Sequence, residues 1–180
     1  MPHSTSTKKK PSRLTTQKSA SRTKTKGLDK CRTPDPSKIP AIDFTKAQKT
    51  VLDLLKIPGI SGQEKQVAEV IRKKLIDAGC PKNLISFDQA HKKTPLQGNC
   101  GNLIVKLPGT RRGPRRLLMA HMDTVPVCEG TRPVVKGNIV KSGNRMTGLG
   151  ADDRSGCGVV LTTALEILRQ KIDYPPITFF

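Results

Sequence analysis

The chain has 180 residues, 33 Lys and Arg against 14 Asp and Glu, five cysteines, no tryptophan and a formal net charge of +19. That length holds one ordinary domain with a tail and excludes a large multidomain enzyme within the given residues. At 34% hydrophobic, with no run near the ~18 apolar residues of a membrane span, it reads as a soluble chain with an unpacked part and no membrane partner.

The charge is unevenly spread. Residues 1–40 hold 11 Lys and Arg against Asp29 and Asp35, while residues 41–180 hold 22 against 12 acids. The first segment is Lys, Ser, Thr, Arg and Pro with almost nothing apolar to offset its ordering entropy, so it reads as a disordered basic tail. It lacks the apolar stretch of a secretory signal, and both a solvated extension and a targeting or nucleic-acid-binding arm fit it. Cys31, Cys80, Cys100, Cys128 and Cys157 are odd in number, widely spaced and without a C-x-x-C pair. They read as free thiols in a cytoplasmic protein.

From Ala41 the pattern is periodic. Phe44, Ala47, Val51, Leu54 and Leu55 predict a helix face ending before Pro58-Gly59. Ser61-Gly62-Gln63-Glu64 has the form of a capping box, which explains Glu64 better than a catalytic role does. A second helix follows, with Val67, Val70, Ile71, Leu75 and Ala78 inward, stopping at Gly79 before Pro81. Strands are expected at Leu84 to Phe87, Leu103 to Leu107 and Arg116 to Ala120. The unbroken apolar run Leu117-Leu118-Met119-Ala120 predicts a central strand buried on both faces. Val134 to Val140 predicts a hairpin turning at Gly137-Asn138. A helix over Ser155 to Gln170 then points Val160, Leu161, Ala164, Leu165 and Leu168 inward, and Pro176 to Phe180 opens another strand. The alternation predicts an α/β fold with a mixed, largely parallel sheet flanked by helices, incomplete at the C-terminus, and ligands bound where strand ends lead into loops.

Two such loops carry candidate chemistry. In His121-Met122-Asp123 a neutral imidazole can ligate zinc while the carboxylate two residues on accepts its other N–H; a hydrogen-bonded loop histidine is the alternative. In Asp152-Asp153, the acids either neutralise a metal pair or serve the following helix as cap and N-terminal charge. His3 lies in the tail and His91 beside Lys92-Lys93, so neither reads as a ligand.

Three motifs in order, Asn102-Leu103-Ile104-Val105 before a Pro-Gly turn, Leu118-Met119-Ala120-His121-Met122-Asp123-Thr124-Val125-Pro126 and Gly148-Leu149-Gly150-Ala151-Asp152-Asp153-Arg154, resemble the zinc-dependent M20 metallopeptidases. With Ser61-Gly62 entering the second helix, they are most similar to the peptidase T (tripeptide aminopeptidase) branch. The resemblance implies that His121 ligates one zinc ion, that Asp152 bridges two, and that Asp123 is the active-site acid orienting His121. It also implies a non-proline cis peptide between Asp152 and Asp153. The implied activity is hydrolysis of peptide bonds in short peptides by a metal-activated water. A general-base Glu, an adjacent Glu ligand, later ligands and a dimerisation domain would follow the last strand, so the chain is expected to be incomplete for catalysis. The alternative function is a non-catalytic basic fragment acting by association, or by nucleic-acid binding through its tail.

Overall fold

The computed structural model describes residues 40–180; the expectations for the basic tail lie outside the described residues. Three helices, α1 (Phe44–Leu55), α2 (Lys65–Asp77) and α3 (Ala151–Gln170), accompany six strands, β1 (Ile85–Phe87), β2 (Leu103–Leu107), β3 (Arg116–Leu118), β4 (Pro133–Lys136), β5 (Ile139–Ser142) and β6 (Ile177–Phe179). Four strands form one sheet in the order β1-β2-β6-β3, and β4 and β5 form a separate hairpin. None of the described helices is long and apolar enough to cross a membrane.

The sheet is mixed as expected, with a smaller parallel share. Of its junctions, β1–β2 and β2–β6 are antiparallel and β3–β6 is parallel. The parallel pair is the one joined through the long crossover helix α3, as chain geometry demands. Because β6 enters between β2 and β3, β3 sits at an edge among the described strands. This corrects the expectation of a central strand: Leu117 is 60% and Met119 62% exposed. A continuous apolar run marks burial on both faces only if a neighbour covers each of them.

The core lies between the helices and the sheet. Leu54 of α1, Val67, Ile71 and Leu75 of α2, Leu103, Val105 and Leu107 of β2, Leu161, Ala164 and Leu165 of α3, and Ile177 and Phe179 of β6 form one buried cluster. Helices α1 and α3 cross closely at Gly158, where a Cβ would collide with Val51. Asp43 caps α1 by accepting from the Lys46 amide at 3.0 Å. Phe44, placed inward by the periodicity, is the first residue of α1 and is 79% exposed.

The start of α2 differs from the expected capping box. Its first amide, of Lys65, donates to Asn99 Oδ1 at 3.0 Å from a distant loop. Glu64 accepts from the Gly62 amide at 2.5 Å, as an acid folding back on its own turn. The Ser61 hydroxyl points elsewhere, to Asp123.

Candidate active site

Three loops meet at the carboxyl end of β3: residues 59–62 between α1 and α2, residues 121–126 after β3, and residues 150–154 entering α3. Ala120 is the last residue held by the sheet, its amide donating to the Phe180 carbonyl at 3.1 Å. The first two loops are joined by a parallel bridge between Ile60 and Thr124. The Thr124 amide donates to Gly59 O at 3.0 Å and the Ser61 amide to Thr124 O at 3.3 Å.

This bridge fixes the residues between it and the sheet. His121 Nδ1 lies 3.0 Å from Asp123 Oδ1. A carboxylate can only accept, so Nδ1 carries the proton and the ring orientation is set. The other Asp123 oxygen, Oδ2, accepts from Ser61 Oγ at 2.5 Å. Burial pushes the Asp123 carboxyl upward, but the Ser61 hydroxyl and His121 outweigh it, and the net shift is down. At His121 burial pulls downward, and Asp123, with a smaller contribution from Asp152, turns the net shift upward.

The second nitrogen of the ring faces the third loop. His121 Nε2 is 3.2 Å from Asp152 Oδ1, and the Asp152 side chain is 97% exposed. Asp152 and Asp153 are joined by a cis peptide bond, and both have non-helical backbone angles although they fall within the span of α3. Asp153 Oδ1 accepts from the Gly156 amide at 2.9 Å. That is an N-cap contact, so the regular helix starts after Asp153. Of the acid pair, Asp153 caps the helix, as one of the two readings expected, and Asp152 turns to the imidazole.

The remaining titratable groups separate from this cluster. Cys157 is buried and its thiol donates to the His121 carbonyl at 3.1 Å. Burial, then Asp153, pushes that thiol up to about 11, which leaves it unreactive near neutral pH. His91, read as solvated, has its Nδ1 shielded from solvent without a hydrogen-bond partner. It lines a cavity of about 690 Å³, walled by Ile71, Leu75, Leu161 and Phe179, that reaches His121 and Asp123. Sequence reasoning missed Ser61, whose serine had an adequate local role as a cap. Among the described residues no group of three or more His, Cys, Asp or Glu is placed to hold a metal ion.

The site is thus a carboxylate–imidazole–carboxylate line at the carboxyl end of a strand in a mixed α/β sheet. Residues 117–180 match the peptidase family M20/M25/M40. Among solved structures, the chain resembles a tripeptidase from Staphylococcus aureus subsp. aureus Mu50, with TM-score 0.68 and 28% identity over 78% of this chain and 36% of that one. It resembles aminopeptidase PepT from Bacillus cereus ATCC 10987 equally, with TM-score 0.68 and 27% identity over 77% of this chain and 36% of that one. The uncharacterized protein YqjE of Bacillus subtilis strain 168 is 28% identical over 128 residues, 71% of this chain and 33% of its own length. The chain is thus similar to M20 peptidases, the peptidase T kind among them, and it spans about a third of the length of these relatives.

Proposed function

We propose that the chain carries part of the active centre of a zinc-dependent peptidase that removes residues from short peptides. The observation that carries this reading is the line Asp123–His121–Asp152, with one carboxylate on each nitrogen of a single imidazole. The similarity to a tripeptidase and an aminopeptidase supports short peptides as the substrate class. The four described cysteines are free, which supports a reducing, cytoplasmic setting.

The residues present suit zinc as far as they go. Two donors at about 2.0–2.1 Å from one tetrahedral ion stand about 3.3 Å apart, and His121 Nε2 and Asp152 Oδ1 are 3.2 Å apart. His121 and Asp152 would hold the metal, and a tetrahedral site needs further donors beyond these two. When bound, the metal would polarise a peptide carbonyl and acidify a water. Asp123 keeps the Nδ1 proton in place, so Nε2 presents its lone pair outward. Ser61 keeps Asp123 from rotating, and Asp153 fixes the first turn of α3 so that Asp152 is carried at a set distance from the ring.

Release of the N-terminal residue from a tripeptide by the natural protein tests this. Activity should vanish on chelation, return with zinc, and fall by two orders of magnitude or more in Asp152→Ala. Cleavage that survives complete metal removal would contradict the reading.

A further inference from the structure

Arg154 is 1% exposed, the largest fully buried side chain described. Its guanidinium donates from one terminal nitrogen to Leu54 O at 3.0 Å and from the other to Gly59 O at 3.2 Å, and Nε has no partner. Among the described residues it forms no ion pair. A buried cation without a counter-ion is costly, since carbonyl dipoles replace only part of its hydration. The carbonyls it touches do not need it: Leu54 O also accepts from Ile57 at 3.2 Å, and Gly59 O from Thr124 at 3.0 Å. Packing and hydrogen-bond satisfaction therefore do not account for a cation at this position.

Its place in the site does. Arg154 follows Asp152 by two residues and grips Gly59, whose carbonyl also holds Thr124. Thr124 adjoins Asp123, which holds His121, whose Nε2 faces Asp152. The contacts close into a ring through all three loops. The geometry points to Arg154 as a positioning residue that locks the entry of α3 onto the Gly59–Thr124 bridge and so sets the spacing of Asp152 from His121. The guanidinium fork suits this, because two rigidly related donors fix orientation where a single ammonium fixes only distance. The metal-site reading above is needed for the zinc readout alone; the position of the imidazole is a readout without it.

The test compares Arg154→Met, Arg154→Lys and Gly59→Ala in the full chain. Met keeps the volume and removes the buried charge, so the melting temperature should stay or rise. The His121 ring ¹⁵N resonances at fixed pH should nevertheless shift, and zinc should bind about 10-fold more weakly or worse, the usual cost of losing an orienting partner. Arg154→Lys should recover part of both. In Gly59→Ala a Cβ would stand 2.6 Å from the guanidinium nitrogen, so the fork is displaced with the charge retained. It decides the matter if Arg154→Met does not fold. A folded Arg154→Met or Gly59→Ala protein with unmoved His121 resonances would overturn the role. A wild-type chain that binds no zinc would count against the metal site, and the ring resonances would still decide the role of Arg154.

Discussion

Ser61 Oγ and Asp123 Oδ2 are 2.5 Å apart across a separation of 62 residues. This bond ties the turn before α2 to the loop after β3, at the oxygen that His121 does not use. Ser61→Ala should leave folding nearly unchanged, because the pair is exposed, but free Asp123 to rotate. Zinc affinity should fall up to about 10-fold, measurable by titration calorimetry. An unaltered affinity would mean that Asp123 is held by His121 alone.

Asp152 and Asp153 should separate in their effects. Asp153→Ala removes the cap of the regular part of α3 and should cost about 0.5–2 kcal/mol in urea unfolding. Asp152→Ala removes a side chain that is 97% exposed and should change stability by less than about 0.5 kcal/mol while abolishing metal binding. Reversed effects would show that the two acids are misassigned.

Asp88 gives the fold a local pH dependence. The Ala90 amide and the Asn102 side-chain and backbone amides donate to it, at 3.0, 2.8 and 2.9 Å, and hold its carboxyl below the usual value of 3.8. A native pKa below the unfolded one adds stability above about pH 4, and that stability is lost as pH falls through the lowered native value. Unfolding between pH 5 and 2 should therefore be less pH-dependent in Asp88→Asn than in wild type, and parallel curves would count against the assignment.

Gly158 sits where α3 meets Val51 of α1, with no room for a Cβ. Gly158→Ala should destabilise the fold by about 1–3 kcal/mol through overpacking, despite the better helix propensity of Ala. A thermal melt that rises would show that the helices can part at no cost.

Local signals in the sequence were enough for most elements. Periodicity placed α1 and α2, an apolar run bounded by turn residues placed β2 to the residue, and Gly137-Asn138 placed the hairpin turn. Strand order was not legible, because the insertion of β6 between β2 and β3 depends on pairing between segments far apart, and with it went the exposure of Leu117 and Met119. At the candidate site, residue type marked His121, Asp123 and Asp152 as candidates, and only the family resemblance gave them roles. Ser61 and Asn99 did not, since each acts on a segment distant in sequence, and nothing local marks Arg154 as a buried cation rather than a solvated one.

The most direct test of the central claim is calorimetric titration of zinc into the wild-type chain and its His121→Ala and Asp152→Ala variants. Binding in wild type that is lost in both variants, with folding preserved, is the predicted result. Equal zinc affinity in all three proteins would contradict a metal site built on His121 and Asp152.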